Sequence, residues 1–148
     1  MHLFESTTLI KRPIEEVFDF FGKAENLNEL TPPFLHFKIL SALPLKMQKG
    51  TRIDYSIRLN GIPFRWKTLI SEWNPMQSFV DEQIKGPYKV WKHTHKFEKE
   101  GEFTRMTDSV FYQCPGGFLE SWVNRFFVRK KMEQIFSYRK EKLQILFP

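Results

Sequence analysis

The chain holds a single cysteine, Cys114, among 148 residues. It cannot form an intramolecular disulfide, which excludes a disulfide-stapled scaffold and points to a reducing compartment. No apolar run approaches the roughly 18 residues that a membrane-spanning helix needs. The start, Met1-His2-Leu3-Phe4-Glu5, lacks the basic segment and apolar stretch of a secretory signal. Repeats, low-complexity tracts and internal linkers are missing too, so residues 1–148 are expected to form one soluble, cytoplasmic domain. Nothing resembles a helix-turn-helix, a zinc finger or an aromatic RNA-binding strand, and nucleic acid is not expected as a partner.

Aromatic residues and positive charge are plentiful. There are 16 Phe, four Trp and four Tyr, more than a minimal core uses, and the net charge is +6. Much of the excess lies between Arg125 and Lys142, where Arg125, Arg129, Lys130, Lys131, Arg139, Lys140 and Lys142 face only Glu133 and Glu141. The solvated face of a long helix accounts for that run most simply, with an anionic surface as the alternative.

The patterning orders the elements. Leu3–Ile10 reads as a strand. Pro13 then opens a short amphipathic helix to Phe21, with Glu15 and Glu16 in its first turn and Ile14, Val17, Phe18 and Phe21 at helical spacing. Ala24–Leu30 reads as a second short helix, stopped by Thr31-Pro32-Pro33. From Phe34 to Gln113 the period becomes two. Strands are expected at Phe34–Leu40, Thr51–Leu59, Ile62–Trp73, Ser78–Lys85, Tyr88–Phe97 and Phe103–Tyr112, and Asn60-Gly61 marks a tight hairpin. Short links of this kind build an antiparallel meander. Phe118–Phe147 contains no Gly or Pro, and Val128, Met132, Ile135, Phe136, Arg139 and Leu143 share one face. This predicts an α+β fold whose sheet covers one face of a long C-terminal helix.

Strand parity sorts the faces. Trp91, His93, His95 and Phe97 oppose Lys92, Thr94 and Lys96, so the histidines belong inside. Tyr55 falls inside with Ile53, Ile57 and Leu59, and Phe64 and Trp66 fall opposite Arg65 and Lys67. For the two ambiguous strands, the sets containing Phe79, Asp81 and Gln83, and Met106, Asp108, Val110 and Tyr112, are placed inside. An inner face carrying several polar groups either satisfies them in a packed core or lines a cavity. Apolar walls with a few convergent polar groups describe a small-molecule pocket.

Other readings of the same residues exist. His93-x-His95 facing Asp81 or Asp108 has the residue types of a transition-metal site, though the motif is short, and no metal is expected. A histidine acting as acid or base on a bound molecule is chemically feasible, but no nucleophile or cofactor motif accompanies it and no cofactor is expected. Cys114 reads as an inert strand-end residue. Trp122, Phe126 and Phe127 do not all fit the helix stripe, which leaves some of them to face the cavity mouth or solvent. Packing is the expectation for them, and a membrane-surface patch beside Arg125, Arg129, Lys130 and Lys131 is the alternative.

The element order resembles the START-like, or SRPBCC, helix-grip superfamily over nearly the whole chain. Within it the sequence is similar to an uncharacterised bacterial group that carries the label "cell division inhibitor", a label without support in these residues. The shared pattern reads Leu27-x-x-Leu30-Thr31-Pro32-Pro33, Ile62-x-Phe64-x-Trp66 and Glu72-Trp73-x-Pro75. It continues with Phe79-x-Asp81-x-Gln83-x-x-Gly86-Pro87-Tyr88 and Trp91-x-His93-x-His95-x-Phe97, then Asp108-x-Val110-x-Tyr112 and Ile135-Phe136-x-Tyr138-Arg139. The resemblance implies a seven-stranded antiparallel sheet gripping the C-terminal helix, two short helices between the first two strands, and a deep cavity. Superfamily members include lipid-transfer domains, pollen-allergen-like carriers, polyketide cyclases and some other enzymes.

The expectation is therefore a carrier or sensor of a small, largely hydrophobic molecule. Trp66, Trp91, Phe64, Phe79, Phe97, Met106 and Tyr55 are the candidate walls. His93, His95, Asp81, Gln83, Asp108 and Tyr112 are the candidate polar contacts. A cyclase-, dehydratase- or hydrolase-like enzyme with a cavity histidine, and a peripheral membrane or partner-binding module using the basic helix, are the two alternatives.

Overall fold

The computed structural model describes residues 1–148. Strand β1 (His2–Ile10) leads through Pro13 into helix α1 (Ile14–Phe21), then a 3-10 turn (Ala24–Asn26) and helix α2 (Leu27–Leu30). A second 3-10 turn (Pro33–Leu35) precedes the six remaining strands: β2 (Lys38–Ile39), β3 (Arg52–Leu59), β4 (Ile62–Asn74), β5 (Ser78–Lys85), β6 (Val90–Glu100) and β7 (Phe103–Gln113). All seven form one antiparallel sheet in the order β1-β7-β6-β5-β4-β3-β2. The chain closes with a helical run from Gly117 to Leu146.

Local chemistry accounts for the turns. Asn60 and Gly61 both adopt positive φ, 52° and 79°, the conformation of a two-residue hairpin whose twist suits its strands. Gln83 braces the β5–β6 connection by donating from Nε2 to the Tyr88 carbonyl at 2.7 Å and accepting from the Tyr88 N–H at 3.1 Å. That brace lies so close to Gly86 that an added Cβ would collide with the glutamine side chain. Register shifts in the β4–β5 pairing, between Lys67 and Thr68 and between Ile70 and Glu72, are bulges that bend the sheet, and a bent sheet can curl around a helix.

Two expectations are corrected. The strand expected over Phe34–Leu40 shrinks to Lys38–Ile39. Pro32-Pro33 start a 3-10 turn, and His36, at φ 48°, takes the left-handed conformation that interrupts an extended run. The closing segment is helical throughout but not uniformly α. It comprises a 3-10 turn (Gly117–Leu119), helix α3 (Glu120–Val123), a π turn (Asn124–Val128) and helix α4 (Arg129–Leu146).

The core lies between the concave sheet face and the helices. Ile14, Val17, Phe18 and Phe21 of α1 pack with Phe79, Phe97 and Met106 of the sheet and with Leu143 and Phe147 at the chain end. Burial of each large apolar side chain stabilises the fold by about 1.5–3 kcal/mol. Met132 and Phe136 of α4 pack on Phe4, Val110, Tyr112 and Cys114. On β7 the inner face agrees with parity, Thr104, Met106, Asp108, Val110 and Tyr112 being buried and Phe103, Arg105 and Phe111 exposed, whereas on β5 both Phe79 and Val80 are buried and Asp81 and Gln83 are half-buried.

Candidate functional site

Between the sheet and α4 lies a cavity of about 170 Å³ lined by 23 residues, 17 of them hydrophobic. Its volume is close to that of a dry cavity of about 150 Å³ that accepts benzene. Its aromatic wall is built on neighbouring strands. Trp66 of β4 stacks on Tyr55 of β3 with centroids 5.7 Å apart, and Trp91 of β6 meets Trp66 edge-on at 5.2 Å. Tyr88 packs against Trp91 at 4.7 Å. Burial pushes the phenols of Tyr55 and Tyr88 well above the ordinary tyrosine range, so both stay protonated.

One end of the cavity is polar. Parity and register bring His93 and His95 of β6 beside Asp81 of β5 and Asp108 of β7, because Asp81 pairs with His93 and His95 with Asp108. His93 Nε2 lies 2.8 Å from Asp108 Oδ1 and His95 Nε2 lies 2.6 Å from Asp81 Oδ2. Arg139 of α4 completes the cluster, its Nη2 being 3.3 Å from Asp108 Oδ1 and 3.2 Å from His95 Nδ1. Its guanidinium also lies over the Phe21 ring at 5.2 Å and the Phe136 ring at 5.8 Å.

The partners determine the tautomers. An ionised carboxylate only accepts, so each histidine carries its proton on Nε2. His95 Nδ1 lies between two groups, 3.2 Å from Arg139 Nη2 and 3.3 Å from Asp108 Oδ1. His93 Nδ1 is left with no donor, and Asp81 Oδ2 lies 3.8 Å from it. Burial raises the affinity of Asp108 for a proton, but Arg139 and the two histidines outweigh it and hold the carboxyl well below the usual range. Asp81 shows the same balance: burial opposes, and His93, His95 and Arg139 leave it lowered. Burial first, and then His95, lower the basicity of His93, so its imidazole is neutral near pH 7. Two buried donors, Trp66 Nε1 and Arg139 Nε, have no hydrogen-bond partner.

Asp81, His93 and His95 offer ligand atoms within 4.8 Å of one another. The two imidazoles, however, are stacked at 3.7 Å with 25° between their planes. Lone pairs lie in the ring planes, and the planes of stacked rings run side by side, so they converge poorly on one ion. The arrangement is that of a hydrogen-bond network more than a metal cage.

Of the thirteen residues singled out in the sequence, Tyr55, Trp66, Phe79, Asp81, Trp91, His93 and His95 line the cavity. Asp108 lies behind His93, and Gln83 is occupied by the Tyr88 backbone. Tyr112 donates its hydroxyl to Asn124 Oδ1 at 2.6 Å. Phe97 and Met106 belong to the core around α1, and Phe64 lies outside the lining. Sequence reading missed Arg139 as a site residue, and also Phe21, Met132, Ile135 and Phe136. The signal for Arg139 was present: a cation in an otherwise apolar helical stripe requires a buried counter-charge.

Known proteins give the same architecture. The family model described as polyketide cyclase / dehydrase and lipid transport matches residues 10–136. Ginseng major latex-like protein 151 from Panax ginseng superposes with a TM-score of 0.71 at 12% identity, covering 99% of this chain and 97% of that one. A START superfamily protein from Mycobacterium smegmatis gives a TM-score of 0.69 at 11% identity, with 99% of both chains covered. A Chromobacterium violaceum protein reaches 0.76 at 11% identity, covering 99% of this chain and 98% of that one. No curated protein matches the sequence itself. Identities this low carry the fold alone, whereas the family model spans most of the chain: it belongs to the polyketide cyclase/dehydrase and lipid transport family, in the START-like helix-grip fold.

Proposed function

We propose that the protein is a carrier or sensor for a small, largely apolar molecule of one or two rings that bears a hydroxyl or enol group. The observation that carries this reading is an apolar cavity closed at one end by a buried Asp–His–Arg cluster with an open acceptor. A ligand hydroxyl would donate to His93 Nδ1 and accept from Arg139 Nε or Trp66 Nε1, pairing groups that have no partner in the chain. The aromatic wall of Tyr55, Trp66 and Trp91 would hold the ring. The buried Cys114 suits work in the cytoplasm, where a lone thiol stays reduced.

Naphthol is a suitable probe, its binding read by quenching of tryptophan fluorescence. His93→Ala should weaken it about three- to tenfold, the loss of one hydrogen bond, while the unfolding curve stays cooperative. Equal affinity in the variant would refute the assignment of His93.

The His93–Asp108 pair favours a second reading, in which the cavity performs acid–base chemistry. Asp108 would hold the imidazole in its Nε2–H tautomer and leave Nδ1 to abstract a proton next to a carbonyl. Deuterium exchange into α-tetralone in D2O, abolished by His93→Ala, would support this reading. No exchange above the uncatalysed rate would exclude it for that substrate class.

A further inference from the structure

The stretch before α4 is built with its polar and apolar sides exchanged. Glu120 is buried and accepts from His2 Nε2 at 2.7 Å and from the Cys114 N–H at 2.7 Å. Asn124 accepts from the Tyr112 hydroxyl at 2.6 Å, and Val123 and Val128 rest on the core. These inward contacts hold the segment in place without its aromatic residues. Outward, Phe118 is 97% exposed, and Leu119, Trp122, Phe126 and Phe127 are each about half exposed. The expectation that Trp122, Phe126 and Phe127 pack inside is thus corrected.

The π turn over Asn124–Val128 shapes this patch. In an α-helix Trp122 and Phe126 share a face, while Phe127, five residues on, points well away from it. The wider π turn rotates less per residue and returns Phe127 to that face. The Trp122 ring accordingly lies 5.3 Å from Phe126 and 5.4 Å from Phe127. Such turns recur at functional sites, and this one gathers apolar surface into water.

Charge identifies the occupant. Arg125, Lys130 and Lys131 follow or flank the aromatic residues, Arg129 beside them is paired with Glu133 at 3.7 Å, and no acidic residue lies between Glu120 and Glu133. A second copy of the same basic patch would be repelled, whereas an anionic bilayer offers both an apolar interior and negative headgroups. Lys131 also reaches over the Phe34 ring at 4.6 Å. The chain neighbours of that pair, Met132 and Leu35, turn inward and line the cavity, so Lys131 and Phe34 stay on the outer side.

We infer that residues 118–131 form a docking surface for anionic phospholipid membranes, inserting Phe118, Trp122, Phe126 and Phe127 at the headgroup level. The inference is independent of the cavity reading. Flotation with vesicles of phosphatidylglycerol and phosphatidylcholine, compared with phosphatidylcholine alone, tests it. The protein should float with the anionic vesicles and be released as salt is raised. The exposed substitutions Trp122→Ser with Phe126→Ser, and separately Lys130→Glu with Lys131→Glu, should each cut partitioning at least tenfold, with naphthol binding unchanged. Absence of flotation at low salt, or variants that float like the native chain, would overturn it. So would a dimer in light scattering that Trp122→Ser returns to monomer. Loss of naphthol binding alone would count against the cavity reading only.

Discussion

Replacing Arg139 by Met retains an aliphatic stem over Phe21 and Phe136 but removes the cation that faces Asp108. The carboxylate is buried, with 3% of its side chain exposed, and Arg139 Nη2 lies 3.3 Å from its Oδ1. Two unit charges at that separation attract by about 5 kcal/mol at the effective dielectric of about 20 that suits such sites. Breaking a buried pair by removing one member costs about 3–5 kcal/mol, because the other charge is left desolvated and uncompensated. Arg139→Met should therefore destabilise the fold by about 3–5 kcal/mol in urea denaturation followed by circular dichroism. At about 2–4 °C per kcal/mol for a chain of this size, the midpoint should fall by roughly 6–20 °C. Asp108→Asn is the complementary change, since its amide oxygen can still accept from His93 Nε2–H. In the double variant no charge is stranded at this position, so its cost should be at least about 2 kcal/mol below the sum of the single costs. An Arg139→Met protein within about 1 kcal/mol of the parent, or strictly additive variants, would refute the claim that Arg139 compensates the buried charge of Asp108.

Other outcomes follow from the same cluster and its surroundings. Asp108 stays ionised in the native state well below the usual carboxylate range, while in the unfolded chain it titrates near 3.9. Below about pH 4 the unfolded chain therefore takes up a proton that the native state refuses, and stability falls with falling pH by up to about 1.4 kcal/mol per unit for this group. Asp108→Asn should flatten that slope between pH 4 and pH 3 in urea midpoints, and an unchanged slope would contradict the assignment. Burial first, and then the nearby Glu120, push the Cys114 thiol up to about 12. Ellman's reagent at pH 8 should label the native protein at least a hundredfold more slowly than the urea-unfolded chain, and equal rates would contradict the burial of this thiol. Met132→Ala, which empties a fully buried position between α4 and the sheet, should cost about 2–5 kcal/mol in denaturant unfolding. A loss below about 1 kcal/mol would mean that α4 does not pack on the sheet as described.

The fold was largely readable because its strands alternate so sharply. Lys92, Thr94 and Lys96 against His93, His95 and Phe97 leave one choice of face, and the burial of β6 follows it. Asn60-Gly61 located its hairpin because few residues tolerate two successive positive φ values. Phe34–Leu40 misled because its apolar content is that of a strand, while Pro32-Pro33 and the left-handed His36 set the backbone differently. The π turn was not readable, since one extra residue in a helical turn leaves no mark in a run without Gly or Pro. The polar cluster was half visible. Parity put Asp81, His93, His95 and Asp108 on one side, but Arg139 comes from another element, and only the packing of α4 against the sheet brings it within 3.3 Å of Asp108. Phe97 and Met106 illustrate the opposite limit: parity gives the face of a sheet, and α1 covers the part of that face where they lie.

The most direct measurement is mass spectrometry of the purified protein under native and then denaturing conditions, with naphthol added in a second series. The account predicts an adduct of one small molecule per chain that is lost on denaturation. It should be greatly reduced in Ile135→Trp, which fills the cavity from α4. A bare chain mass in both series, at naphthol concentrations up to the millimolar range, would contradict the claim that the space between the sheet and the final helix is a binding site.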